Sequence, residues 1–276
     1  MHLVITGTSS GIGRALAERR LAAGDHVWGL ARSGQAELAA KYPGRFHAAR
    51  CDVAQWDQVR AAAAATAAAW PGVDALVTCA AVQGALGPAL AVDPAGWSAT
   101  VRTNLDGTYY AIRAFYELLT RAPRRSKIVC LSGGGGTKAR PNFSAYAAAK
   151  TGVIRLVETL AGELRGAPVD INAVAPGAVT TRMTEEVLRA GAAVAGAEEY
   201  LAARQLVETG GDALAKALGL IDWLLSPASD GISGRLLSAP WDPWPTLDRH
   251  REELAATDIY TLRRIVPADR GRNFQP

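Results

Sequence analysis

Short apolar runs alternate along this chain with longer stretches in which apolar residues recur at helical spacing. The runs at 2–6, 26–31, 46–51, 75–79, 126–131, 170–175 and 235–238 predict seven strands. The stretches at 14–23, 56–69, 97–120, 144–164 and 213–224 predict helices between them. Strands that alternate with helices imply a mostly parallel sheet covered on both faces, in the doubly wound α/β arrangement. Its crossovers are right-handed. Such a sheet binds its ligand at the carboxyl ends of the strands.

Three stretches stand apart. The alanine run 61–65 is low in complexity, but alanine is the best helix former, so it predicts a plain helix. Residues 180–208 follow a Pro-Gly and read as one or two helices near the mouth of the expected site. A mobile lid and a fixed helical pair are both open to them. From Ala239 onward Pro240, Pro243 and Pro245 alternate with Trp241 and Trp244, and a polar segment follows. Proline resists regular structure, while two close tryptophans need a surface to pack on. The expected organisation is one domain over 1–239 with an extension over 240–276 that packs on it or on a neighbouring subunit.

The chain has 276 residues, 49% of them hydrophobic, enough for one large core. Its net charge is +4 and its pI about 9.1, which raises the question of nucleic acid. The 30 basic residues are interspersed with 26 acidic ones and form no stripe, so nucleic-acid binding is not expected. Cys51, Cys79 and Cys130 lie in or at the ends of predicted strands and read as buried free thiols. The four histidines, His2, His26, His47 and His250, are isolated in sequence, and no metal spacing is visible. The first strand begins at residue 2, and no run approaches the ~20 apolar residues of a membrane span. A soluble, cytoplasmic protein is expected.

Thr6-Gly7-Thr8-Ser9-Ser10-Gly11-Ile12-Gly13 joins the first strand to the first helix. Glycines at Gly7, Gly11 and Gly13 allow a tight turn, close approach to a phosphate and packing of helix on strand. The helix N-terminus beyond offers free N–H groups and a partial positive charge. A pyrophosphate fits such a loop, and Ser9, Ser10 and Ile12 belong to it. The second strand ends in Ala31-Arg32, where an Asp or Glu would receive a ribose 2′-hydroxyl. A guanidinium suits a 2′-phosphate instead, so NADP(H) is favoured over NAD(H).

Tyr146 and Lys150 are four residues apart on a predicted helix and share a face. A free phenol has a pKa of about 10, too high for ready proton exchange at neutral pH. A neighbouring ammonium favours the phenolate. The pair can pass a proton to a carbonyl oxygen, or take one from a hydroxyl, while hydride moves at the adjacent carbon.

With these motifs in this order, the sequence over roughly 1–239 resembles the short-chain dehydrogenase/reductase family. The resemblance implies a single Rossmann-type domain. Thr6–Gly13 looks like the family's cofactor loop, and Cys51-Asp52-Val53 like its adenine-contacting segment. Asn104 matches its active-site asparagine, and Tyr146 and Lys150 its catalytic tyrosine and lysine. Pro176-Gly177-Ala178-Val179-Thr180-Thr181 resembles its nicotinamide-side motif, with Val179 and Thr181 in contact. By that resemblance Lys150 also holds the nicotinamide ribose, and Asn104 helps anchor a water in the proton relay. A homodimer or homotetramer is implied as well.

Two departures stand out. Where the family has Asn-Asn-Ala-Gly, this chain has Thr78-Cys79-Ala80-Ala81. By the resemblance, the backbone at Ala80 is still expected to line the adenosine ribose, without the asparagine side chains. The catalytic serine of the family lies 13 residues before the tyrosine, and counting back from Tyr146 reaches Gly133. Ser132 is one residue early, within Ser132-Gly133-Gly134-Gly135-Gly136. Side chains alternate along a strand, so Ser132 reaches the site only if the glycines form a bulge. Otherwise the hydroxyl comes from Ser144, from the substrate, or from nowhere.

The implied activity is interconversion of a secondary alcohol and a ketone with NADP(H). Family members similar in the Ser-Gly-Gly-Gly and Trp-Asp-x-Trp segments point to a sugar or cyclitol substrate. A 3-oxoacyl thioester is the alternative, with Arg182, Arg189 and Arg204 as a possible arginine patch. A non-catalytic dinucleotide-binding or sensor protein is the reading of another class.

Overall fold

The structure is a computed structural model that describes residues 1–274. Seven parallel strands form one sheet: β1 (His2–Thr6), β2 (His26–Ala31), β3 (Phe46–Arg50), β4 (Ala75–Thr78), β5 (Ser126–Leu131), β6 (Val169–Ala175) and β7 (Leu236–Ser238). Their order across the sheet is β3-β2-β1-β4-β5-β6-β7. Connections run outward in both directions from β1 and β4, so the sheet is doubly wound, as the alternating pattern predicts. β1 and β4 to β6 lie between two helical layers and are buried along almost their whole length. One core joins Leu3, Ile5 and Val77 to helix α1 (Gly11–Ala22) and helix α10 (Ala213–Leu225). The other joins Val4, Leu76 and Ile128 to α3 (Trp56–Ala69), α5 (Gly107–Thr120) and α6 (Ser144–Glu163).

Four local features differ from the sequence pattern. A short helix α2 (Ala36–Lys41) precedes β3, and it buries only Leu38, too little periodicity to read. The single helix predicted over 97–120 is broken into α4 (Pro94–Val101) and α5 by one π-helical turn, Arg102–Asp106. Residues 180–208 fold as three helices, α7 (Arg182–Ala190), α8 (Ala192–Ala195) and α9 (Ala197–Thr209), separated at Gly191 and Gly196.

The fourth is the extension, which has regular structure where its prolines suggest little. It carries a 3₁₀ segment, Trp244–His250, and helix α11 (Arg251–Ala256). It packs on its own chain: Leu247 and Leu254 enter the core, and Trp244 Nε1 donates to the Ala239 carbonyl at 3.2 Å. The Arg235 guanidinium donates to the carbonyls of Leu254, Thr257 and Ile259. Leu236 N–H donates to the Tyr260 carbonyl at 2.8 Å, so the tail lies along the outer edge of β7.

At the amino ends of β1 to β3, opposite the glycine loop, three histidines gather around two tryptophans. His2 stacks on Trp70 with ring centroids 4.5 Å apart, and His47 on Trp28 at 4.8 Å. His26 meets His2 edge-on at 5.5 Å. Burial, then the like charges of His26 and His2, hold the His47 imidazole below its usual range. The unfolded chain therefore binds more protons than the folded one just below the ordinary histidine value of about 6.5. The contribution is complete above that pH and is lost as pH falls toward the lowered folded value. The urea midpoint is expected to drop on acidification through this window, and less steeply in His47→Gln. An equal pH dependence in both proteins would refute this.

Candidate active site

The carboxyl ends of the central strands open into one cavity of about 950 Å³. Every residue that the sequence assigns to cofactor binding lines it: Gly7, Ser9, Ser10, Gly11, Ile12, Gly13, Arg32, Asp52, Val53, Ala80, Tyr146, Lys150, Pro176, Gly177, Val179 and Thr181. Ser132 lines it too.

The glycine loop is fixed by close backbone contacts. Gly7 N–H donates to the Leu30 carbonyl at 2.7 Å, and Ala80 N–H donates to Thr6 Oγ1 at 3.0 Å. A Cβ on Gly7 would lie 2.8 Å from Ala80 N, and one on Gly13 would lie 2.5 Å from the Gly7 carbonyl oxygen. Ser10 stands at the N-cap of α1 but its side chain bonds none of the helix N–H groups, and the first turn carries no acid. Those N–H groups remain open to an anion. This cradle fits a dinucleotide pyrophosphate.

Past β2, Arg32 is exposed on the cavity, and among the described residues no carboxylate pairs with it. The loop that carries it is anchored by Gln35, which accepts from Thr8 Oγ1 at 2.7 Å and donates to the Ala49 carbonyl at 2.9 Å. Past β3, Asp52 accepts from Ala54 N–H at 3.0 Å, and Val53 packs against Gly107.

Asn104 sits in the π turn and is wholly buried. Its amide clamps Val82 from both sides, accepting from Val82 N–H and donating to the Val82 carbonyl, each at 2.9 Å. The extra residue of the π turn is what swings this side chain onto the loop after β4. Asn104 itself does not line the cavity. It acts on the site through the position of that loop.

Tyr146 and Lys150 lie on the cavity-facing side of α6, both buried. Lys150 Nζ donates to the Leu131 carbonyl at 2.7 Å and lies 5.7 Å from the centre of the Tyr146 ring. Burial brings the ammonium down to about 8. Burial raises the Tyr146 phenol, and Arg140 opposes that rise. Burial also pushes the Cys130 thiol up to about 11, so it stays neutral beside Lys150.

Ser132 directly follows β5 and lines the cavity. Its hydroxyl points to α6, with the Lys150 carbonyl at 3.4 Å, and would touch a Cβ placed on Gly136 at 2.7 Å. No bulge returns it to the tyrosine; the segment folds back with Gly136 N–H donating to the Gly133 carbonyl at 3.0 Å. The residue opposite the phenol is Gly133, where a Cβ would lie 2.5 Å from Tyr146 Oη. Ser144 does not fill the gap either, since its hydroxyl accepts from Trp97 Nε1 at 3.1 Å.

On the nicotinamide side, Thr181 caps α7 in a reciprocal pair with Thr184. Gly177 packs against Pro240, which brings Trp241 to the rim of the cavity, 85% exposed. The arginine patch does not form: Arg182 lines the cavity, but Arg189 and Arg204 do not, and Arg204 pairs with Glu208 at 3.0 Å.

Two residues of the site escape the sequence pattern. Arg140, in the loop before α6, forms a two-pronged pair with Glu199 of α9, both bonds 2.8 Å. They are 59 residues apart, and neither belongs to a motif. Among the described residues no cluster of His, Cys, Asp and Glu could hold a metal, and no helix is long and apolar enough to cross a membrane.

Comparison with known proteins agrees with this geometry. The family model described as short chain dehydrogenase matches residues 1–191. The chain is 32% identical over 243 residues to a 2,5-dichloro-2,5-cyclohexadiene-1,4-diol dehydrogenase of Sphingobium indicum, covering 86% of this chain and 94% of that one. It is 38% identical over 185 residues to a galactitol 2-dehydrogenase (L-tagatose-forming) of Cereibacter sphaeroides, covering 65% and 72%. Among solved structures it is similar to a short-chain dehydrogenase/reductase of Saccharomyces cerevisiae, with TM-score 0.79, 26% identity, and coverage of 88% and 96%.

Proposed function

The chain belongs to the short-chain dehydrogenase/reductase family, and from that premise we propose that it is an NADP(H)-dependent enzyme that interconverts a polyhydroxylated or cyclic secondary alcohol and its ketone. The alcohol–ketone oxidoreductase activity follows from the family and its relatives. The observation that carries the finer reading is a single cavity that runs from the Gly7–Gly13 cradle and Arg32 to the Tyr146 phenol.

Bound in that cavity, the nicotinamide would supply or take up a hydride. The rest falls to the chain. The first-turn N–H groups of α1 hold the pyrophosphate and Arg32 the 2′-phosphate. Lys150 holds the nicotinamide ribose. Tyr146 takes the alcohol proton as hydride leaves the carbon, and returns it in reduction. Asn104 fixes the Val82 loop beside it.

The substrate end is polar: Lys138, Arg140, Glu186 and Glu199 all line it, which suits a substrate with several hydroxyls. Two relatives act on a galactitol and on a cyclic diol by name. The missing arginine patch leaves a 3-oxoacyl thioester without its special support.

The test is a fluorescence titration with NADPH and NADH in parallel. NADPH is expected to bind more tightly, and Arg32→Ala to remove about ten- to a hundredfold of that preference, the worth of a charge-assisted bond. Tighter binding of NADH would overturn the assignment of Arg32.

A further inference from the structure

Two tryptophans follow β7 closely, and the fold treats them in opposite ways. Trp244 is half-buried: it packs on Trp223 and Gly219 of α10, and its Nε1 donates to the Ala239 carbonyl. Trp241 is 85% exposed and lines the cavity. An indole left in water gives up a large burial gain, so its place needs a reason.

The turn that carries Trp241 is fixed on every side. Ala239 N–H donates to the Ala175 carbonyl at 2.9 Å, so the turn grows directly out of the β6–β7 ladder. Asp242 closes it twice. Its N–H donates to the Ser238 carbonyl at 3.2 Å, and its carboxylate accepts from Ser238 N–H at 2.6 Å. Pro240, inside the turn, locks its own φ and packs on Gly177. With the backbone held, only two side-chain torsions remain to be ordered when a ligand lands on the indole.

The strand order puts this turn at the substrate end of the cavity. β7 is one edge of the sheet, and Arg32 and Asp52 stand past β2 and β3 at the other. Among the described residues Trp241 and Tyr146 are the only aromatic side chains that line the cavity. The groups that can bond hydroxyls there are Lys138, Arg140, Glu186 and Glu199. This end thus combines one large flat apolar surface with several polar groups.

Ring alcohols and open-chain alcohols meet such a surface differently. A six-membered ring turns hydroxyls outward to its edge and leaves axial C–H bonds on its faces. Those hydrogens carry slight positive charge and are drawn to the negative face of an indole. An open chain twists and spreads its hydroxyls around itself, so it presents no continuous C–H face. We propose that Trp241 is a specificity-determining residue whose indole is a platform for the C–H face of a cyclic alcohol, favoured over an open-chain alcohol of the same size. This narrowing of the substrate to a ring rests on the alcohol–ketone reading of the same site.

The experiment compares cyclohexane-1,2-diol with hexane-3,4-diol, its open-chain counterpart with the same number of carbons and secondary hydroxyls. The oxidised cofactor that the parent binds is kept saturating. Trp241→Ala is expected to raise KM for the ring diol about tenfold with kcat unchanged, the worth of one aromatic contact made equally in ground and transition states. Both constants for the open-chain diol are expected to stay as they are. Trp241→Phe keeps an aromatic face and is expected to restore most of the loss. The indole is exposed, so its removal takes no packing from the core. Equal losses for the two diols, no loss for the ring, or a loss in Trp241→Phe as large as in Trp241→Ala would overturn the proposal. So would weaker NADPH binding in Trp241→Ala, which would put the indole on the cofactor. A change of oligomeric state by light scattering would put it in a subunit contact, with the same consequence. Saturation-transfer NMR of the cofactor-loaded protein reads the contact without turnover: the ring diol's C–H protons are expected to be saturated in the parent and not in Trp241→Ala. No saturation in the parent would also overturn the proposal. Saturation without turnover of either diol would sink the oxidoreductase reading and leave the platform standing. Turnover of both diols without discrimination would do the reverse.

Discussion

Tyr146→Phe is expected to lower turnover by about a thousandfold while cofactor affinity and thermal stability stay near those of the parent. The magnitude is that of losing a positioned general acid–base, roughly 4 kcal/mol of barrier. The change removes one oxygen and keeps the ring. The ring is what the structure uses for packing: Tyr146 is only 7% exposed and sits in the small core with Phe143, Val187, Ala195 and Ala203. Its hydroxyl faces the bare backbone of Gly133, and among the described residues no group hydrogen-bonds it. Deleting it therefore leaves no buried partner unsatisfied, the usual reason that such changes destabilise. Lys150 keeps its bond to the Leu131 carbonyl, so the lysine also stays in place. The assay is oxidation of any secondary alcohol the parent turns over, with galactitol first, alongside a fluorescence titration of NADPH. Loss of turnover with binding retained is the expected result. Retained turnover would show that the proton leaves by another route.

The strands and the Tyr146–Lys150 pair were legible because their signals are local. A buried strand is a short apolar run, and β5 falls on its predicted bounds. Tyr146 and Lys150 are one helical turn apart, so the sequence that makes the helix also aligns the pair. The three features it hid are not local. A π turn shifts the apolar spacing by a single residue and carries no Pro or Gly break of its own, so 97–120 reads as continuous although Asn104 depends on the break. The Ser132 question turned on whether four glycines would bulge, and glycine carries no side-chain preference that a pattern could show. The Arg140–Glu199 pair joins a loop to a helix that follows two others, and each member resembles an ordinary surface charge. Fold and chemistry come from periodic positions; the fine position of the tyrosine's neighbours comes from tertiary contacts.

Gly13→Ala is expected to cost about 1–3 kcal/mol of stability and to weaken NADPH binding by at least about tenfold, the range for forcing a methyl into a full site and displacing phosphate contacts. The added carbon would lie 2.5 Å from the Gly7 carbonyl oxygen and 2.9 Å from its carbon. Both are backbone atoms, so no side chain can turn aside. Helix α1 must move off the loop. Gly7 cannot yield in turn, because its own N–H is held by Leu30 and the Ala80 backbone lies against it. The uncapped N–H groups at the start of α1, which the proposal gives to the pyrophosphate, then move with the helix. The same substitution at Gly162 gives the opposite sign. That residue lies near the end of α6, exposed, with nothing within 4 Å of an added Cβ. There alanine is expected to gain up to about 1 kcal/mol by restricting the unfolded chain, with binding unchanged. Urea midpoints and NADPH titrations of the two variants separate the effects. If Gly13→Ala were as stable and as tight as Gly162→Ala, close contact between α1 and the glycine loop would not be what shapes the cofactor cradle.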